Sequence, residues 1–311
     1  MKKKAKRGAA KPKPARRSAG SGRSAELQLL VQRLLASKLG APPVPPVPPA
    51  PPPMPLVPMP IAERFKGQVA IVTGGAEGMG KAIARRIAAE GGRVAIFDHN
   101  VELAEKTQAE FARENLRILA IKCDISQEEM VKAAVERLMN AAKKLDIVVN
   151  CAGIPGPSNT KVTEYPTADF LKVIDVNLVG SFLLAKHTIP HLLAGGYGRM
   201  LFLSSIGGKD GNPGMSGYVA SKSGVIGMVK GLGKEFAETG ITINGLAPAV
   251  IQTRLLESVS AEQLKYMTDK IPMKRVGTVD EVAALATWIV SKECTFTTGF
   301  TFDLSGGRAT Y

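Results

Sequence analysis

Tyr218 and Lys222 stand four residues apart in the run Gly217-Tyr218-Val219-Ala220-Ser221-Lys222, and Ser205 precedes the tyrosine by thirteen positions. On a helix the i and i+4 side chains share a face, so this spacing sets an ammonium beside a phenol. An unperturbed phenol titrates near ~10 and serves as a general acid/base near neutral pH only where a neighbouring positive charge favours the phenolate. Lys222 supplies such a charge. A serine hydroxyl arriving from another strand end can then hold the oxygen that Tyr218 protonates or deprotonates. Tyr-x-x-x-Lys also occurs on ordinary solvated helix faces, so the pair gains meaning only from elements that would bring it to a site.

From residue 68 the chain alternates short β-rich runs with longer helical patterns. Strands are expected over Gln68–Thr73, Arg93–Asp98, Arg117–Asp124, Leu145–Asn150, Gly198–Ser204, Ile241–Ala247 and Gly299–Leu304. Helices are expected over Met79–Glu90, Val101–Glu114, Glu128–Ala142, Ala168–Leu193, Tyr218–Glu238 and Glu281–Ser291. Runs such as Ile147-Val148-Val149 and Met200-Leu201-Phe202-Leu203 are continuously apolar, as strands covered by helices on both faces are. The pattern predicts an α/β fold: a doubly wound parallel sheet of Rossmann type, in one domain over residues 61–311.

Ligands of such sheets sit at the carboxyl ends of the strands. After the first strand comes Thr73-Gly74-Gly75-Ala76-Glu77-Gly78-Met79-Gly80. Gly74 permits the tight turn, Gly78 lets the backbone approach a pyrophosphate, and Gly80 allows close packing of the helix whose N-terminus faces the anion. Asp98 ends the second strand, eighteen residues beyond Gly80. A carboxylate there accepts hydrogen bonds from the adenosine ribose hydroxyls and repels a 2′-phosphate; the competing role is a helix N-cap. Neither Glu77 nor His99 offers the firm positive charge a 2′-phosphate wants, so NAD is favoured over NADP.

With these residues assembled, residues 65–311 resemble the short-chain dehydrogenase/reductase family. The resemblance rests on Thr73-Gly74-x-x-x-Gly78-x-Gly80, Asp124, Asn150-Cys151-Ala152-Gly153, Asn177, Ser205, Tyr218-x-x-x-Lys222, and Pro248 followed by Thr253. It implies a hydride transfer between a nicotinamide cofactor and a secondary alcohol or ketone, with no metal. Tyr218 would be the general acid/base, and Ser205, chosen over Ser204 for its thirteen-residue spacing, would polarise the substrate oxygen. Lys222 would lower the phenol's pKa and bond the nicotinamide ribose, while Asn177 would hold a water of the proton route. Gly74, Gly78, Met79 and Gly80 would cradle the cofactor. Asp124 and Ile125 would contact adenine, Asn150 and Gly153 the adenosine ribose, and Pro248, Ile251 and Thr253 the carboxamide. Cys151 stands where a second asparagine is common.

The substrate pocket is expected from Ile154, Pro155, Ile206, Met215, Val250 and a lid over residues 254–275. The first five are apolar, yet Arg254, Lys265, Lys274 and Arg275 could meet a carboxylate, as could Arg308 near the C-terminus. A hydroxy acid or sugar acid with NAD is one reading. A 3-oxoacyl-thioester reductase, usually NADPH-dependent, is the second, and a scaffold acting through its tail the third. A homo-oligomer, dimer or tetramer, is implied by the family, with Gly224, Gly227, Gly231 and Gly233 allowing close helix approach.

Composition sets residues 1–60 apart. They hold twelve Lys/Arg against one acid, Glu26, and so carry +11 of the chain's net +14. They also hold fourteen of the 21 prolines. Such a stretch cannot bury a core and is expected to be disordered, with a polyproline II spacer after a basic start. Between the two, Leu27, Leu30, Val31, Leu34 and Leu35 fall on one helical face within Glu26–Leu39. The basic start could lean weakly on a polyanion, and it resembles an organelle transit peptide; otherwise the cytoplasm is expected. No aromatic residue interleaves its charges, which argues against a base-stacking module. Cys123, Cys151 and Cys294 form no Cys-x-x-Cys, so neither a disulfide scaffold nor a zinc site has support. No apolar run reaches the length of a membrane span.

Overall fold

The computed structural model describes residues 26–31, 59–254, 256 and 261–311. Residues 26–31 form a helical segment by themselves, with Leu27, Leu30 and Val31 exposed. The continuation of that stripe through Leu34 and Leu35, the basic start and the proline spacer lie outside the described residues.

Seven short runs form the strands β1 (Val69–Thr73), β2 (Arg93–Asp98), β3 (Ile118–Lys122), β4 (Ile147–Asn150), β5 (Gly198–Leu203), β6 (Ile241–Pro248) and β7 (Thr301–Leu304). They pair in parallel in the order β3-β2-β1-β4-β5-β6-β7. Successive side chains of a strand point to opposite faces. Val72 and Ile96 therefore enter one core with α1 (Gly78–Ala89), α2 (Val101–Arg113) and α9 (Val279–Ile289). Ile71 and Phe97 enter the other, against α3 (Glu128–Ala142), α5 (Gly180–Gly195) and α7 (Ser216–Glu235). β1, β4 and β5 are buried along their whole length, which is why their sequences are continuously apolar. The expected doubly wound sheet is the fold of the chain.

The order reverses between β1 and β4, and the loops at their carboxyl ends part there to form a cleft. The long helix expected over residues 168–193 is present as one rod with an interruption. α4 (Thr167–Ile174) runs into a π turn, Asp175–Val179, and then into α5. The Gly180 N–H reaches back to the Asp175 carbonyl, and a Cβ on Gly180 would stand 2.8 Å from Ile125. Two short helices complete the frame: α6 (Gly207–Asp210), directly after Ser205, and α8 (Ala261–Asp269).

Candidate active site

A cleft of about 610 Å³ opens at the reversal point, lined by Gly74, Met79, Gly80, Asp98, Asp124, Ile125 and Gly153 among others. Its floor is backbone brought unusually close. Gly74 has φ +60°, and a Cβ on Gly80 would lie 2.1 Å from the Gly74 carbonyl oxygen, so the turn and the start of α1 can meet only as glycines. Gly78, at φ +56°, faces open space, with the Thr253 methyl the one atom near its missing Cβ, at 3.8 Å. Glu77 precedes α1 without capping it through its side chain, so the first-turn N–H groups are left for an anion in the cleft.

Asp98 is buried at the cleft's far wall, where its carboxylate accepts from Ala76 N (3.2 Å) and Asn100 N (3.0 Å). The N-cap of α2 is Asn100, whose side chain accepts from Leu103 N, so Asp98 is released from capping and presents carboxylate lone pairs to the cleft. Asp124 accepts from the Ser126 N–H and hydroxyl (2.9 and 2.7 Å). A dinucleotide fits this set: a glycine-lined turn, unpartnered helix N–H groups and an acid one strand away.

The catalytic candidates meet at the cleft's inner end. A Cβ on Gly153 would stand 3.0 Å from Asn177 Oδ1 and 3.3 Å from Lys222 Nζ, which puts the β4 loop, the π turn and α7 in contact there. Lys222 is buried, donates to the Leu203 carbonyl (2.7 Å) and lies 5.9 Å from the Tyr218 ring centroid. Ser205 Oγ accepts from Gly207 N (3.0 Å) and is hydrogen-bonded with the Tyr218 hydroxyl. Ser204 instead turns inward and donates to the Lys222 carbonyl (2.8 Å), bracing α7. The structure thus brings Asn177, Ser205, Tyr218 and Lys222 together.

The electrostatics differ from the expectation that Lys222 depresses the phenol. Burial raises Tyr218 above its ordinary value, and the Ser205 hydrogen bond pulls the other way without prevailing. The lysine is itself desolvated, which lowers it from 10.5 to about 8. Burial pushes the neighbouring Cys151 thiol up to about 12 against the pull of Lys222. Burial therefore works against charge on all three groups, while a lysine of pKa about 8 still carries its proton at pH 7.

Several expected contacts are placed elsewhere. The Asn150 side chain does not face the cleft: it accepts from Thr73 Oγ1 and donates to Ser181 Oγ (2.8 Å), tying β1 to α5. Asn177 spends its amide on Ile154, accepting from its N–H (2.8 Å) and donating to its carbonyl (2.9 Å), and on Ser221 Oγ (3.0 Å). Ile251 is buried in the core, and Pro248 is buried at the end of β6. Ile206 packs under Ala247 and Ala309 and is no pocket wall. Of the expected cations, Lys265 pairs with Asp269 (2.7 Å), Arg275 with Glu281 (2.6 Å) and Arg308 with Asp210 (3.2 Å). Lys274 donates to the Asp269 carbonyl (2.9 Å). Residues 255 and 257–260 of the expected lid lie outside the described residues. Leu256 and Leu264 line a second cavity, of about 760 Å³, with Thr253 and Arg254.

The sequence model of a family described as enoyl-(acyl carrier protein) reductase matches residues 74–309. The chain is 45% identical over 250 residues to a 2-dehydro-3-deoxy-L-rhamnonate dehydrogenase (NAD(+)) of Sphingomonas sp. (strain SKA58), covering 80% of this chain and 98% of that protein. It is 35% identical over 241 residues to a 3-oxoacyl-[acyl-carrier-protein] reductase of Rickettsia bellii (strain RML369-C), covering 78% and 96%. The crystal structure of an NAD+-bound xylitol dehydrogenase superposes with a TM-score of 0.74 at 27% identity, covering 78% of this chain and 99% of the other. With its fold, its glycine turn and its tyrosine–lysine helix in place, the chain belongs to the short-chain dehydrogenase/reductase family.

Proposed function

We propose that the protein is an NAD-dependent dehydrogenase that interconverts a secondary alcohol and a ketone on a sugar-derived acid. The observation that carries this reading is the Asp98 carboxylate at the ribose wall of the cleft, where a 2′-phosphate would meet negative charge. Likeness to the rhamnonate dehydrogenase supports the substrate class. Bound NAD+ supplies the hydride acceptor, so the chain's own residues need only place the carbinol and move one proton. Ser205, already accepting from Gly207 N, keeps its hydroxyl proton to donate to the substrate oxygen. Tyr218 takes the alcohol proton during oxidation and returns it during reduction. Lys222, anchored on the Leu203 carbonyl, holds positive charge beside the phenol and reaches the nicotinamide ribose. Asn177 fixes the Ile154 loop against α7, and Asp124, Ile125 and Gly153 line the adenosine half.

Two wider features belong to the same reading. Gly227 and Gly231 face open space on α7, whereas Cβ atoms on Gly224 and Gly233 would collide with Leu178 and Gly299. The first two are therefore free to receive a second copy in a homodimer or homotetramer, and the other two serve packing within the chain. Among the described residues no helix is long and apolar enough to cross a membrane, and Cys123, Cys151 and Cys294 are free thiols, which suits a reducing compartment such as the cytoplasm.

The test is NADH absorbance with a panel of sugar acids, 2-dehydro-3-deoxy-L-rhamnonate among them, run in parallel with NADP+. Turnover with NAD+ is expected, and Tyr218→Phe should remove nearly all of it while NADH still binds. Preferential NADPH-dependent reduction of a 3-oxoacyl thioester, with no sugar acid oxidised, would replace this reading by the thioester reductase.

A further inference from the structure

Glu77, Asp98 and Asp124 all line the cofactor cleft, and the dinucleotide that fits it brings a pyrophosphate dianion of its own. Like charges gathered in one cleft repel unless a cation offsets them. Among the described residues that line the cleft, Lys172 is the one lysine or arginine. It lies on α4, shares a helical face with Val176 one turn on, and lines the cleft together with Val176 and with Ile154 of the β4 loop. The same rod packs against Ile125 where Gly180 leaves room, the Cβ position there being 2.8 Å from that side chain. Lys172 therefore stands on the wall that α4 and α5 present to the cleft. Asp98 belongs to the opposite wall, that of α1 and α2, where it accepts from Ala76 N and Asn100 N.

The two ordinary roles of a helical lysine are closed to this one. Asp169 and Asp175 stand three positions to either side, at the spacing that permits an ion pair, yet among the described residues Lys172 pairs with neither and is exposed. Nor does it serve a helix end, because α4 runs on through the π turn into α5 and no terminal row of carbonyls faces it. An unpaired ammonium on a flexible stem is left at the mouth of an open cleft of about 610 Å³. We propose that Lys172 is a cofactor-binding residue, whose ammonium draws the dinucleotide's phosphates into the cleft and offsets the carboxylates that line it. The proposal rests on the NAD reading above and supplies the charge that reading leaves unbalanced.

The experiment titrates the full chain with NADH, followed by nucleotide fluorescence, at about 20 mM and about 500 mM NaCl, for wild type, Lys172→Ala, Lys172→Arg, Lys172→Glu and Lys132→Ala. Lys172→Ala should raise the NADH Kd about two- to fivefold at the lower salt, as expected for one exposed charge contact. Lys172→Glu should raise it roughly 4- to 25-fold, since reversing a charge changes the interaction twice as far as removing it. Lys172→Arg should stay near wild type, and all of these differences should shrink to less than about twofold at the higher salt. Lys132, exposed on α3, is not among the cleft's lining residues, so Lys132→Ala removes the same charge and should leave Kd unchanged. An unchanged Kd in Lys172→Ala overturns the proposal, as does a loss of equal size at both salts or one matched by Lys132→Ala. An unchanged NADH Kd with a raised KM for a sugar acid also overturns it, placing the lysine against substrate instead. A wild-type protein that binds NADH at neither salt overturns the NAD reading itself, which is a different result.

Discussion

Lys222 is an ammonium held where water is excluded, and its pKa of about 8 against an ordinary 10.5 measures the consequence for stability. The sign follows from proton counting. Between pH 8 and 10.5 the unfolded chain keeps a proton that the folded chain has shed, so stability rises with pH through that window; below pH 8 the full penalty, roughly 3 kcal/mol, is present. Lys222→Met removes the charge but leaves the Leu203 carbonyl without its donor, a loss of about 1–2 kcal/mol. We therefore expect the variant to be about 1–2 kcal/mol more stable than wild type at pH 7, less stable at pH 10.5, and inactive at both. Urea denaturation at the two pH values checks this, and a methionine variant weaker than wild type at pH 7 would show that the ammonium is better solvated than its surroundings indicate. Tyr218 sits under the same constraint from the other side, since burial favours its neutral phenol. Burial thus works against charge on both partners, keeping the phenol protonated while a lysine of pKa about 8 still carries its charge at pH 7.

The join between β1 and α1 is among the tightest backbone approaches in the described residues. A Cβ on Gly80 would enter the Gly74 carbonyl oxygen at 2.1 Å, and backbone cannot rotate aside as a side chain does. Gly80→Ala should therefore force α1 off the sheet, lowering stability by roughly 2–3 kcal/mol and the thermal midpoint by about 5–10 °C, and weakening NADH binding at least tenfold. Gly227→Ala is the matched control, because nothing lies within 4 Å of its missing Cβ and alanine favours helix by about 1 kcal/mol. Equal thermal shifts in the two would refute the steric account. This join was readable in the sequence because glycine spacing reports backbone approach directly, and the strands were readable because their apolar runs are buried on both faces. Side-chain loyalties were not readable. Asn150 serves the β1–α5 tie, and Ser204 braces α7 while the adjacent Ser205 faces the tyrosine, choices set by the tertiary neighbours each side chain meets. The π turn at Asn177 had no periodic signature, since one extra residue in a turn hides inside a helical pattern. The start of α9 did have a signal: Thr278-x-x-Glu281 forms a capping box, and that motif places the helix start at Val279, two residues before the Glu281 suggested by the apolar pattern.

Charge and anchoring divide the chain at the same place. Residues 1–60 carry +11 of the net +14, while the segment from Met59 onward is fastened to the base of the sheet by one buried carboxylate. Glu90, fully buried, pairs with Arg64 (3.1 Å) and Arg86 (2.9 Å) and accepts from Ile61 N (3.0 Å); Arg86 also donates to the Met59 carbonyl (2.8 Å), and Phe65 is buried beside them. A buried carboxylate stripped of one partner costs about 3–5 kcal/mol. A chain beginning at Met59 should therefore match the full-length protein in thermal midpoint and in kcat/KM, while losing its salt-dependent retention on a phosphate-bearing column. A chain beginning at Gly67 lacks Arg64, Phe65 and the Ile61 N–H together, and should melt well below both. If instead the Met59 chain loses activity, the tail takes part in catalysis or assembly; if it keeps its retention on the column, the polyanion contact belongs to the folded body and its net +3, not to the extension.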